Sequence, residues 1–81
     1  MRATVLVRPK EGILDPQGEA VLGALRHLDF TVDEVRIGRL VDIKLQAENA
    51  EAARAEVGRM CEQLLANPLI ESFEIELHDH S

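Results

Sequence analysis

Aromatic side chains are scarce in this chain: Phe30 and Phe73 are the only two, with no Trp and no Tyr. A platform that stacks nucleic-acid bases on rings has almost nothing to build with. Positive charge is short as well, with Lys+Arg 9 against Asp+Glu 15 and a net charge of −6 at pH 7. That balance excludes nucleic acid and anionic membrane surfaces as main partners. Cys61 is the single cysteine, so no disulfide can close within the chain. No apolar h-region precedes the first charged segment. No apolar run approaches the roughly 18–20 residues that span a bilayer. These absences predict a soluble, reducing, cytoplasmic setting with no membrane partner. Repeats and low-complexity tails are also missing, apart from an Ala- and Glu-rich patch at Ala47–Glu56 that reads as helix.

What the chain has is periodic apolar residues. Its 81 residues predict one domain spanning 1–81. A domain of this size buries only roughly 60–65% of its unfolded surface, so oligomerisation would help it. Ala3 to Arg8 alternates and is rich in β-branched residues, which predicts a strand. From Pro16 to Leu28, Val21, Ala24, Leu25 and Leu28 recur at helical spacing. Arg26 and His27 sit near that helix's C-terminus, where positive charge is favoured. Val32 to Leu45 alternates on both sides of Gly38-Arg39, predicting a hairpin or one strand bent at Gly38. Asn49 to Leu65 carries an amphipathic stripe of Ala50, Ala53, Val57, Met60, Cys61 and Leu64. Asn67-Pro68 stops that helix. Ile70 to Leu77 sets Phe73, Ile75 and Leu77 against Ser72, Glu74 and Glu76, a half-buried strand.

The order β-α-β-β-α-β is the split βαβ arrangement. The expected fold class is therefore α+β, a ferredoxin-like antiparallel sheet with two helices on one face. Its expected core includes Val5, Val7, Val21, Leu25, Leu28, Val57, Cys61, Leu64, Phe73 and Ile75. The open face would carry Leu6, Arg8, Arg36, Leu40, Asp42, Lys44, Glu74 and Glu76, a mixture that suits water or a polar subunit interface.

Chemistry is harder to find. A nucleophile would need Cys61, Ser72, Ser81 or Thr4 beside a base held by a third group, and none has such company in the sequence. Cys61 falls on the apolar stripe and reads as a small buried hydrophobe. His27 reads as solvated. His78-Asp79-His80 has ligand chemistry, but no distant Cys/His pair completes a shell. Gly12 and Gly18 fit neither G-x-G-x-x-G nor a Walker loop. No catalytic, cofactor-binding or metal site is expected.

The stretch KEGILDPQG, Lys10–Gly18, is the exception to this plainness. Asp15 is a good N-cap and Pro16 suits the first helical position. A cap does not call for Ile13 and Leu14 outside the helix, nor for Gly18 within it at a cost of about 1 kcal/mol relative to Ala. This stretch, together with VRIGR at Val35–Arg39 and MCEQLLANPLIESFEIE at Met60–Glu76, resembles the PurS family. PurS is the small subunit of the three-part phosphoribosylformylglycinamidine synthase of bacterial and archaeal purine biosynthesis. Departures are mild: Ile13, Arg39 and Phe73 stand where valine, lysine and tyrosine are common, and His78–Ser81 has no counterpart.

The resemblance implies a subunit without catalytic groups of its own. In this family a PurQ-type glutaminase releases ammonia, and a PurL-type synthetase uses ATP to install it on formylglycinamide ribonucleotide. The small subunit, a homodimer or homotetramer, bridges the two. ATP and Mg are then expected on the large subunit, with no cofactor here. The candidate partner interface that the resemblance suggests comprises Pro9, Lys10, Gly12, Ile13, Leu14, Asp15, Gly18, Arg36 and Gly38, with Ile13 and Leu14 exposed; the other reading of the junction, not exclusive of the first, is a tight strand-to-helix loop packing its own core. The alternatives are an ACT-like domain binding a small molecule at a dimer interface, and a small dimeric enzyme, which the scarcity of aromatics disfavours.

Overall fold

The computed structural model describes residues 1–78. Its elements are β1 (Arg2–Pro9), α1 (Pro16–His27), β2 (Arg39–Lys44), α2 (Ala50–Met60), a π-helical turn (Cys61–Leu65) and β3 (Glu71–His78). Both neighbours of the central strand run antiparallel to it, in the order β2-β1-β3. The layout is ferredoxin-like α+β, as expected. Asp79, His80 and Ser81, part of the metal-like tail and of the nucleophile survey, lie outside the described residues.

Period-two alternation decides the core. Ala3, Val5 and Val7 point from β1 to the covered face and are buried. Val57 and Cys61 reach down from α2 and the π turn, and Phe73, Ile75 and Leu77 pack half-buried around them. Asn49 caps α2, its side chain accepting from the Ala52 amide at 2.8 Å. In the π turn the Ala66 amide donates to the Cys61 carbonyl at 3.0 Å, an i to i+5 bond. That extra residue rotates Leu64 off the apolar stripe. Leu64 is therefore 83% exposed rather than core, and Ala66 is buried in its place.

Two further expectations are corrected. The segment before Gly38 forms no strand: no residue from Thr31 to Gly38 makes a backbone-to-backbone hydrogen bond among the described residues. Arg36 is therefore not on the sheet's open face. Nor does α1 lie on the sheet: among the described residues no strand and no other helix packs extensively along it. The chain measures 50 × 27 × 14 Å with a radius of gyration of 15.9 Å, against about 12 Å for a compact chain of this length. Val21 and Leu28 are consequently exposed, whereas Leu22 is buried and Leu25 half-buried.

The reason is local. α1 ends in a Schellman motif: Phe30 N donates to Leu25 O and Asp29 N to Arg26 O, both at 3.0 Å, with Asp29 in the left-handed region at φ 73. The chain then turns back beside its own helix, where Arg26 Nε donates to the Val32 carbonyl at 3.2 Å. Helix and return segment form an arm.

Candidate functional site

The arm meets the sheet at the Lys10–Gly18 junction. β1 ends at Pro9, and the next residues turn through Gly12, whose φ of 81 suits glycine. The Ile13 amide closes this turn on the Lys10 carbonyl at 3.2 Å. Lys10 also ties the junction to the turn before β3: its amide donates to Ile70 O at 2.9 Å, and its Nζ to Pro68 O at 2.7 Å. Arg36 adds a third tie through Nη2 to the Lys10 carbonyl at 2.8 Å.

Asp15 is more than a cap. One carboxylate oxygen accepts from the Gly18 amide at 3.0 Å, and the other accepts from the Ile37 amide at 2.8 Å. The same side chain thus starts the helix and latches the returning segment to it. The Ile37 amide first, then that of Gly18, holds the Asp15 carboxyl below its ordinary value of 3.8. Gly18 follows from this close passage: a Cβ there would stand 2.3 Å from the Val35 carbonyl oxygen. At Gly38 a Cβ would stand 2.2 Å from the Val7 carbonyl oxygen. Both glycines let backbones touch.

Beside the latch, Arg39 grips Glu71 with both nitrogens, at 2.7 and 3.0 Å, and also donates to Leu65 O. The Asn67 amide adds a bond to Glu71 at 2.7 Å. Arg39 first, then that amide, holds Glu71 below its ordinary 4.5. A bidentate pair of this kind fixes direction as well as proximity. It ties the start of β2 to the start of β3 and the end of the π turn.

The structure thus brings Pro9, Lys10, Gly12, Ile13, Leu14, Asp15, Gly18, Arg36 and Gly38 into one braced region. A cleft of about 220 Å³ opens on it, lined in part by Ile13, Leu14, Ile37, Ile70, Arg39 and Glu71. Leu14 is 78% exposed; Ile13 is half-buried, contrary to the expectation of exposure, because it lines this cleft. Sequence reasoning missed Leu69, 82% exposed, and the partly exposed Ile70. The signal was there: two branched apolar residues directly after a helix-stopping Asn-Pro have no helical stripe to serve.

Elsewhere the chemistry is sparse. Cys61 is buried, and burial pushes its thiol up from the ordinary range, the opposite of nucleophile activation. Thr4 on the open face meets both Asp42 Oδ1 at 3.0 Å and His78 Nε2 at 3.2 Å. There the carboxylate touches the hydroxyl rather than orienting the imidazole, so the order of a catalytic triad is not met. Among the described residues no group of three or more His, Cys, Asp or Glu side chains could hold a metal ion. No helix among them is long and apolar enough to cross a membrane.

Fold and site together define a small ferredoxin-like α+β chain whose junction between β1 and α1 is cross-linked by hydrogen bonds and opens on a partly apolar cleft. The family model described as PurS, phosphoribosylformylglycinamidine (FGAM) synthase, matches residues 2–79. The PurS subunit of Methanocaldococcus jannaschii is 42% identical over 77 residues, covering 94% of this chain and 93% of that protein. The solved Bacillus subtilis PurS structure superposes with a TM-score of 0.86 at 37% identity, covering 96% of this chain and 98% of that one. A chain of the solved PurLQS structure from Thermotoga maritima gives 0.84 at 32% identity, covering 93% of each. The chain belongs to the PurS family, subunits of the FGAM synthase of purine biosynthesis.

Proposed function

We propose that this chain is the non-catalytic bridging subunit of FGAM synthase, acting as a single cytoplasmic domain. As a homodimer, or a homotetramer, it joins a PurL-type synthetase to a PurQ-type glutaminase so that ammonia passes between them. ATP and magnesium belong to the synthetase, and this subunit holds no cofactor.

One observation carries the reading: the junction spends two close glycine contacts, the two-handed Asp15 latch and the Arg39–Glu71 pair on holding Leu14 and its neighbours rigid in water. A fixed apolar group on a braced loop is how a partner's pocket is filled at low entropic cost. The Thermotoga relative, solved as PurLQS, supports the same assignment.

The test is Leu14→Ala. In the free chain it should change stability by no more than about 0.5 kcal/mol, as exposed sites do. Affinity for the PurL–PurQ pair should fall by about 1–3 kcal/mol if Leu14 fills a pocket. Unchanged affinity moves the contact surface elsewhere. Thermal stabilisation by a small amino acid, with no binding to either partner, would replace the reading with the ACT-like alternative.

A further inference from the structure

The open face of the sheet places its charges in two different ways. Toward the Pro9 end of β1, Arg8 and Glu74 form an ion pair at 2.9 Å. At the other end of the strand, about 20 Å away, the register sets three basic residues side by side. Arg2 lies directly across from Lys44 on β2 and from His78 on β3. All three are exposed. Like charges placed directly opposite each other destabilise a sheet. Among the described residues neither Arg2 nor Lys44 forms an ion pair that would offset this.

Carboxylates are not in short supply, since the chain has 15 Asp+Glu against 9 Lys+Arg. Asp42 stands at this end, but it is engaged by Thr4, whose Oγ1 donates to Asp42 Oδ1 at 3.0 Å. That hydroxyl has a single proton. The 3.2 Å contact between Thr4 Oγ1 and His78 Nε2 is therefore made by an Nε2–H donating to the oxygen. Glu76, across from Thr4 on β3, makes no ion pair with the row among the described residues. Arg2, Lys44 and His78, with Thr4 and Asp42, line one cleft of about 480 Å³. Small-molecule sites enclose roughly 300–1,000 Å³.

We propose that this end of the open face binds the phosphate monoester of a small metabolite, with Arg2, Lys44 and His78 as its donors. A carboxylate is satisfied by one guanidinium fork, whereas a phosphate monoester brings up to two negative charges and three free oxygens, enough for donors from three strands. Arg2, in the central strand, supplies the planar fork. Lys44 and His78 flank it, each held in register by strand pairing rather than by a mobile loop. A bound dianion turns the repulsion within the row into attraction. The cleft beyond the row has room for the organic part that carries the phosphate. This site lies apart from the Lys10–Gly18 junction and does not rest on the bridging role, so its failure would leave that reading standing.

The experiment titrates the whole chain with ribose 5-phosphate, inorganic phosphate and ribose, following backbone amides by NMR and heat by calorimetry. A chain of net charge −6 gathers anions poorly except at a built site. Shifts should therefore concentrate at Arg2–Thr4, Asp42–Lys44 and His78, saturating with a dissociation constant below about 1 mM for ribose 5-phosphate. Inorganic phosphate should bind at least about fivefold more weakly, and ribose should not bind. Arg2→Gln and Lys44→Gln should each weaken ribose 5-phosphate at least about tenfold, through loss of a charge-assisted contact. Arg8→Gln, on the same face but outside the cleft, should leave the affinity unchanged. Lys44→Glu should abolish binding and yet raise the melting temperature of the ligand-free chain, because it puts opposite charges across from each other. A row that only supports the sheet would not separate binding from stability in this way. Shifts absent from these residues, or an affinity indifferent to both Arg2→Gln and Lys44→Gln in folded variants, would overturn the proposal. Inorganic phosphate bound as tightly as ribose 5-phosphate would overturn the metabolite as ligand and show a site for phosphate alone.

Discussion

Replacing Gly18 with alanine sets two local effects against each other. Within a helix the change alone is favourable by about 1 kcal/mol. Here the new Cβ would stand 2.3 Å from the Val35 carbonyl oxygen and 2.5 Å from Asp15 Oδ2. Neither neighbour yields freely, since one is backbone and the other is committed to the Ile37 amide. Ordinary contact begins at 3.4 Å, so the return segment must move about 1 Å (3.4 less 2.3). Overpacking of this kind costs about 1–3 kcal/mol, and a backbone clash falls in the upper part of that range. The net expectation is a loss of about 1–2 kcal/mol.

Gly23 and Gly58 are the controls, because nothing lies within 4 Å of a Cβ at either position. Each should gain about 0.5–1 kcal/mol on the same substitution. Urea unfolding at one fixed protomer concentration reads the difference, the midpoint of Gly18→Ala falling by about 1 M at an unchanged slope. A midpoint that rises as it does for Gly23→Ala would refute the close packing of arm and helix.

Acid should weaken the junction. Folded Asp15 and Glu71, held low by the Ile37 amide and by Arg39, bind fewer protons than their unfolded forms. Their stabilisation is therefore complete above about pH 5 and is lost as pH falls through the unfolded and then the folded values. Asp15→Asn with Glu71→Gln should flatten that acid limb in a stability–pH series, and an unchanged limb would count against the latch. Asp29→Gly should stabilise by up to about 1 kcal/mol in thermal unfolding, since the left-handed conformation at φ 73 costs glycine nothing. Cys61→Ala should lose about 1–3 kcal/mol of packing yet leave the assembled synthase active. Inactivity of a folded, assembled Cys61→Ala complex would show that the thiol has a chemical role.

Elements whose partners are close in sequence were legible before the fold was. Asp15-Pro16 marks the start of α1, and the alternation of Ala3, Val5 and Val7 marks the central strand with its buried face. Gly18 was an anomaly in the sequence because its reason lies 17 residues away, at the Val35 carbonyl. Val32–Ile37 reads as a strand by pattern, and the pattern is sound, but the chain offers it no strand to pair with. Val21 and Leu28 form a genuine apolar stripe; periodicity gives the stripe and not what covers it. Leu64 was misplaced because a π turn adds one residue to a helix without changing its composition. Arg39–Glu71 joins residues 32 apart and leaves no local trace.

Glutamine-dependent FGAM synthesis by matched PurL- and PurQ-type subunits, measured with and without this chain, tests the central claim most directly. The account predicts little activity without the chain, full activity on adding it, partial activity with Leu14→Ala, and no glutamine or ATP hydrolysis by the chain alone. Equal activity in its absence, or turnover of either substrate by the isolated chain, would contradict it.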